Sequence, residues 1–267
     1  MPLFHLVILA VIQGITEFLP VSSSGHLILL PKLLSIDDQG LALDVAVHVG
    51  TLVAVLVYFR SDTVRIMRGA RSVLSGVYDT ADARLTLLLA ISTVPVIVAG
   101  FILKVTGLSE ALRSVGVIGW TMLLFGLLLY WADQTGDTQK TEDDWSLRDA
   151  TIMGLSQALA LIPGTSRSGI TITASRFLGY NRFDGARIAM LMSIPTIIAS
   201  GALLSLDVIS EGQWDIAGDA LVGALLAFFS AYLALSFMMR LLARISFTPY
   251  VIYRVILGII LLAIAYL

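Results

Sequence analysis

Two long apolar stretches of this sequence are each broken near the middle by turn-forming and polar residues, and no other feature restricts the fold as much. One stretch covers residues 3–31 and is interrupted by Pro20-Val21-Ser22-Ser23-Ser24-Gly25. The other covers 151–178 and is interrupted by Pro163-Gly164-Thr165-Ser166-Arg167-Ser168-Gly169. Proline removes a helix hydrogen bond, and glycine admits backbone angles that other residues avoid. Six unbroken apolar blocks accompany them, at about 41–59, 85–103, 114–131, 188–206, 220–239 and 249–266. A block of about 18 or more apolar residues crosses a bilayer as a helix. Composition agrees, with 57% hydrophobic and 13% charged residues, where soluble domains carry roughly 25% charged ones. Non-helical backbone persists at membrane depth only where protein or a water-filled cavity surrounds it. The two breaks are therefore predicted to be the tips of re-entrant hairpins lining a polar cavity. The expected fold is an all-α polytopic membrane protein, one integral domain over residues 1–267, with six transmembrane helices plus two re-entrant helical hairpins. The alternating pattern of an outer-membrane barrel is absent.

The breaks occupy equivalent places in two halves, about 3–131 and 151–267. Each is followed by an Asp that opens a span, Asp44 or Asp184, and then by two further spans. Matching interrupted segments in two halves point to a site at a repeat interface. Three spans per half is an odd number, so the repeats must be inverted, and the hairpins enter from opposite sides. Lys and Arg mark the cytoplasmic side. Arg60, Arg65, Arg68, Arg71, Arg84, Lys140, Arg148, Arg176, Arg182, Arg187, Arg240 and Arg244 all fall on one side. Lys32, Lys104, Arg113 and the acidic group Asp207, Glu211, Asp215 and Asp219 fall on the other, with both termini. The N-terminus lacks the basic region of a cleaved signal, so the first helix is expected in the mature protein. The arginines of 60–71 read most simply as headgroup contacts.

Chemistry concentrates at the breaks. Gln13 and Glu17 are four residues apart and share a helix face. An ionised Glu in a bilayer costs on the order of 3 kcal/mol and persists only with a partner or a role. A carboxylate beside an amide can hold a hard cation, Mg²⁺ or Ca²⁺, or can act as acid or base. Ser22, Ser23, Ser24 and His26 crowd the same turn and offer a hydroxyl nucleophile, or a histidine acting as base or nucleophile. In the second break, Gly164, Thr165, Ser166 and Ser168 set exposed backbone N–H groups before a helix N-terminus, which suits phosphate. Arg167 adds a planar fork for the same anion. His48 lies within a span and either faces the cavity or bonds a carbonyl. His5 is expected at the interface, and Met190 and Met192 are expected to pack or face lipid. The chain has no cysteine, which excludes disulfides, thiolate zinc sites and cysteine nucleophiles. A net charge of −2 gives no field favouring nucleic acid.

The segment Glu17-Phe18-Leu19-Pro20-Val21-Ser22-Ser23-Ser24-Gly25-His26 resembles the first signature of the undecaprenyl-diphosphate phosphatases, the bacitracin-resistance proteins. Pro163-Gly164-Thr165-Ser166-Arg167-Ser168-Gly169 resembles their second. The likeness extends over 44–59 and Arg244-Ile245-Ser246-Phe247, and to overall length. It implies hydrolysis of a polyprenyl diphosphate lipid to the monophosphate, recycling of the carrier of peptidoglycan precursors, bacitracin resistance, and use of a divalent cation in the bacterial inner membrane. It places Gln13 and Glu17 on the paired acidic or amide positions, Ser23 and His26 on the nucleophile or base positions, and Ser166 and Arg167 on the phosphate grip. The cavity is expected to open to the outer, periplasmic face. Where the family often has Glu, this chain has Gln13, which cannot ionise and shifts the load to Glu17. Ser24 stands where threonine is common and keeps the hydroxyl.

The type-2 phosphatidic acid phosphatases share a turn like Ser24-Gly25-His26 but also need a second histidine six residues after the arginine, where this chain has Thr173. A transporter that flips a polyprenyl phosphate uses the same inverted plan; carriage alone, however, needs no nucleophile. The sequence leaves a homodimer open.

Overall fold

The structure is a computed structural model that describes residues 3–34, 40–211, 217–242 and 244–267. Asp215 lies outside the described residues, as do the side chains of Lys32, Asp207 and Glu211. The architecture is all-α. Six helices are long and apolar enough to cross a membrane: α3 (Leu41–Tyr58), α5 (Ala81–Thr106), α7 (Val115–Thr135), α10 (Arg182–Glu211, of which Arg182–Ser205 is apolar), α11 (Ala217–Leu242) and α12 (Thr248–Tyr266). Their outward surfaces carry exposed Phe101, Trp131, Phe229 and Leu233, as expected of helices solvated by lipid rather than water. Several spans run past the expected bounds. α5 starts at Ala81, where the Thr80 hydroxyl accepts the Ala83 N–H, and α10 starts at Arg182. Apolarity marks only the part of a helix inside hydrocarbon, and the polar first turn continues beyond it.

Both interrupted stretches fold as helix pairs. The first comprises α1 (Leu3–Phe18) and α2 (Ser23–Leu34); the second comprises α8 (Leu147–Ala158) and α9 (Arg167–Phe177), joined by a short 3₁₀ turn at Leu159–Leu161. At about 1.5 Å per residue these helices are shorter than the ~30 Å hydrocarbon layer. α1 packs along α11, and α8 packs along α5. Close approach explains both contacts. A Cβ on Gly14 would strike Ser230 and the Ala227 carbonyl, and one on Gly154 would strike the backbone of Ser92. Small residues let helix backbones approach where apolar side chains gain little from leaving lipid. α3 also packs on α11 and α10, and α7 packs on α12 and α9. The main core lies among these helices and includes Phe18, Leu129, Ile172, Met190 and Met192, so the two methionines pack inside.

The segment after α3 differs from the expectation of headgroup contacts. It forms the amphipathic helix α4 (Arg60–Leu74). Asp62 is 2% exposed and accepts from Arg65 at 3.1 Å and Arg187 at 2.6 Å, and both arginines also pair with Glu142 at 2.8 and 2.6 Å. Asp62 therefore ties α4 to α10 through Arg187, and Arg65 ties it to the turn Glu142–Asp144 instead of reaching for lipid. Asp133 at the end of α7 gathers Arg182 at 2.7 Å, Arg176 at 3.3 Å and the Phe247 N–H at 3.1 Å. α6 (Leu108–Ala111) is a short turn at the opposite end.

Candidate active site

The two interruptions meet. Glu17, in the last turn of α1, and Arg167, the first residue of α9, form an ion pair at 2.5 Å although 150 residues separate them. Both side chains are largely buried. The other oxygen of Glu17 accepts from Gln13 Nε2 at 2.9 Å and from Ser23 Oγ at 2.7 Å. His48 Nε2 stands 4.0 Å from the same oxygen, while its Nδ1 is held at 2.6 Å by the Asp44 carbonyl. His48 thus both faces the centre and bonds a carbonyl. Arg167 spends its second nitrogen on the Ser193 carbonyl of α10 at 3.0 Å, which fixes the plane of the fork. His48 and Ser193 both lie near the middle of their spans, and so does the centre.

The same backbone device builds both tips. Ser22 and Ser166 have φ of 73° and 70°, and no other non-glycine among the described residues has a positive value. Such left-handed serines cost of order 1–3 kcal/mol each and concentrate at functional sites. Each precedes a helix and accepts the N–H three residues on. Gly25 N–H reaches Ser22 Oγ at 3.3 Å, and Gly169 N–H reaches Ser166 Oγ at 3.1 Å. The next residue in each tip is the one that touches Glu17, Ser23 in the first and Arg167 in the second. The first amides of α2 and α9 have no acceptor within their helices and give each start a partial positive charge. One carboxylate therefore sits at two helix N-termini.

Other candidates hold the tips together. Ser168 Oγ donates to the Leu19 carbonyl at 3.0 Å and lies 3.1 Å from Ser166 Oγ, which latches the second tip to the first. Ser24 Oγ lies 3.5 Å from Ser22 Oγ. Gly164 has φ of 90°, and a Cβ there would strike Thr121 and the Ile118 carbonyl. Its own carbonyl and that of Thr165 accept from Arg254. His26 sits apart from the Glu17–Arg167 pair in its hydrogen bonding. Its Nδ1 donates to the Ser22 carbonyl at 2.6 Å, and its Nε2 meets the Tyr253 hydroxyl at 2.6 Å with the rings stacked.

Three contributors were not singled out by sequence: Ser193, Tyr253 and Arg254. Arg254 is fully buried in α12, and its hydrogen bonds go only to carbonyls. They are those of Pro20 at 3.3 Å from the first tip, Gly164 at 3.0 Å and Thr165 at 2.9 Å from the second, and Met122 and Thr121 of α7 at 3.3 and 3.4 Å. An arginine in an otherwise uncharged span is the signal that identifies it. With Glu17 and Arg167 neutralising each other, Arg254 leaves the tips with excess positive charge.

The oxygens present suit a hard cation in part. Gln13 Oε1 is buried without a hydrogen-bond partner, on the amide whose nitrogen donates to Glu17 Oε2. Among the described residues no group of three or more His, Cys, Asp or Glu is placed to hold a metal ion. Mg²⁺ commonly takes one or two protein oxygens and completes its shell from substrate phosphates and water. Gln13 and Glu17 fit that arrangement and do not form a closed cage.

Residues 6–260 match the family described as bacitracin resistance protein BacA. Relatives named undecaprenyl-diphosphatase align end to end. Those of Jannaschia sp. (strain CCS1) and Roseobacter denitrificans are each 63% identical over 266 residues, covering 100% of both chains. That of Chromohalobacter salexigens is 48% identical over 258 residues, 97% of each chain.

Proposed function

The chain belongs to the family of bacitracin resistance protein BacA, and from that premise we propose how its centre works. The protein is a multi-pass membrane hydrolase that converts undecaprenyl diphosphate to undecaprenyl phosphate and phosphate, returning the lipid carrier to peptidoglycan synthesis. The observation that carries the mechanism is the convergence of Arg167, Ser23 and Gln13 on the single carboxylate of Glu17.

The diphosphate takes the place of Glu17 on the Arg167 fork and receives N–H groups from the start of α9, while the prenyl tail stays in lipid. Stabilising charge on the transferred phosphoryl group is the main task in such chemistry. Glu17, relieved of Arg167, keeps its hydrogen bond from Ser23 and accepts the hydroxyl proton as Ser23 Oγ attacks the terminal phosphorus. The Ser23 O–P bond forms, the bond from that phosphorus to the bridging oxygen breaks, and its electron pair leaves with the lipid monophosphate. Glu17 gives the proton it accepted to the departing lipid monophosphate. Water then attacks the phosphoserine, its proton passes to Glu17 and on to Ser23 Oγ, and the Ser23 O–P bond breaks as phosphate leaves and the hydroxyl is restored. Ser23 is preferred to His26 as nucleophile because Ser23 donates to Glu17, whereas both nitrogens of His26 are engaged. Gln13 Oε1 and Glu17 would hold a divalent cation, which would supply charge neutralisation for the diphosphate.

The two broken stretches act in this reading as re-entrant hairpins of inverted repeats 3–131 and 151–267. The paired packing of α1 on α11 and α8 on α5, and the twin serine caps, support it. The basic residues mark one end as cytoplasmic, and this reading has the substrate enter from the other, periplasmic face. Phosphate release from a prenyl diphosphate by detergent-purified Glu17→Ala and Arg167→Ala, with and without chelator, tests the assignment. Near wild-type turnover in either variant overturns it.

A further inference from the structure

We propose that a cavity at the basic end of the molecule, between α3, α10 and α11, binds an anionic phospholipid of the bilayer. The cavity measures about 660 Å³ and is lined by Tyr58, Phe183, Phe237, Leu241, Arg240 and Arg244 among others. Glu17 and Arg167 do not line it. Its position is set by where three helices stop. Tyr58 ends α3, Phe183 is the second residue of α10, and Arg240 is in the last turn of α11. That is the level of headgroups, where tyrosine and arginine concentrate at a membrane boundary.

Charge selects the ligand. Arg240 and Arg244 have no acidic partner among the described residues, in contrast to Arg65, Arg182 and Arg187 at the same end, each of which is paired. Two unpaired guanidiniums beside exposed Phe183 and Phe237 match a phosphate on an acyl chain. A basic residue near an anionic leaflet contributes about 1 kcal/mol, and desolvation by an apolar wall strengthens the pairing. The cavity is of a size that takes a headgroup and the upper part of one chain.

The occupant is a phosphodiester lipid rather than the lipid monophosphate that the enzyme makes. A monoester dianion calls for more donors, such as the helix N-termini and hydroxyls gathered around Glu17. At this cavity the carbonyl-bearing ends of α3 and α11 outnumber the one N-terminus, that of α10, and so disfavour a second negative charge. A diester offers two free oxygens and one charge, which two arginine forks satisfy. The bound lipid would join α11 to α3 and α10, the helices that carry His48 and Ser193, and so stabilise the assembled chain.

The test is thermal unfolding and native mass spectrometry of the full chain in neutral detergent, titrated with phosphatidylglycerol or phosphatidylcholine. Phosphatidylglycerol should raise the unfolding midpoint and remain as an adduct, and phosphatidylcholine should do neither. In Arg240→Gln/Arg244→Gln the phosphatidylglycerol concentration needed for half the shift should rise at least tenfold, while turnover on a prenyl diphosphate in detergent stays at the wild-type value. If the double variant does not fold, Arg240→Gln and Arg244→Gln are measured singly, and each should weaken the shift. An equal shift with phosphatidylcholine, a shift untouched by the arginine variants, or displacement of phosphatidylglycerol by a prenyl monophosphate at lower concentration than by more phosphatidylglycerol overturns the proposal.

Discussion

Replacing Arg254 by methionine should separate the alignment of the two tips from the stability of the helix bundle. Its two shortest bonds run to Gly164 and Thr165 in the second tip. Hydrogen bonds with a charged partner are worth about 1.5–3 kcal/mol each, so their loss costs about 3–6 kcal/mol. The contacts at 3.3–3.4 Å add less. Against this, a guanidinium buried without a carboxylate carries a desolvation cost of several kcal/mol, which an apolar side chain of similar length removes. The two effects nearly cancel. A net change within about 2 kcal/mol moves the unfolding midpoint by no more than about 8 °C in a chain of this size. Catalysis has no such compensation, because Pro20 and Thr165 lose their common anchor just before Ser23 and Arg167. A displacement of about 1 Å at a reacting centre can cost on the order of 100-fold in rate. Arg254→Met should therefore show a well-formed unfolding transition and a kcat for phosphate release reduced about 100-fold. Arg254→Lys, which keeps the charge but lacks the planar fork, should not restore kcat. Near wild-type kcat in Arg254→Met, or full rescue by lysine, would refute the anchoring role.

The Glu17–Arg167 pair should be harder to break singly than to remove whole. Glu17→Gln and Arg167→Met should each destabilise the chain by about 3–5 kcal/mol, and the double variant should recover most of that without recovering turnover, as read by unfolding and phosphate release. Ser23→Ala should abolish both turnover and the trapping of a phosphorylated enzyme. His26→Gln should slow turnover at least as much as Tyr253→Phe, as read by phosphate release, since it loses the bond to the Ser22 carbonyl as well as the one shared with Tyr253. Asp62→Asn should destabilise by about 3 kcal/mol, the low end for a buried pair, because Arg65 and Arg187 keep 28% and 25% of their surface exposed; KM should be unchanged. The Tyr180 phenol is held above its usual range by burial and by its bond to Asp149. Its stabilisation is complete below the unfolded pKa of about 10 and is lost as pH rises toward the folded one, so the alkaline fall in the midpoint should be shallower in Tyr180→Phe.

What the sequence made legible follows from how strongly lipid penalises exceptions. Six spans and two breaks can be read because long apolar runs and Pro-Ser-Gly turns leave few alternatives at membrane depth. Glu17 and Arg167 stand out because each is a charge in an apolar setting, and the pairing of two such charges is the cheapest way to keep them. The helix α4 was missed because Arg60–Leu74 is polar on one side and short of apolar residues, so its helicity depends on partners such as Glu142 and Arg187 that only the fold brings near. Tyr253 and Ser193 escaped for the same reason. One acts through a hydroxyl on a distant imidazole, and the other through a backbone carbonyl that every residue possesses.

The twin tips explain why one geometry can serve two unlike tasks. A left-handed serine caps the following helix in both, so the residue after it is delivered to the same place relative to a helix N-terminus. In the first tip that residue is Ser23, a small hydroxyl; in the second it is Arg167, a charged fork. Two positive helix ends and Arg167 then face one carboxylate, and Arg254 adds a further positive charge on the tip carbonyls, so the centre attracts more negative charge than Glu17 supplies. In the proposed reaction the diphosphate provides that charge and displaces Glu17 from Arg167. Glu17 becomes a competent base for Ser23 only as the substrate arrives, since a carboxylate paired with guanidinium is a weak proton acceptor. The ion pair of the resting state thus keeps the serine inert until there is phosphorus for it to attack.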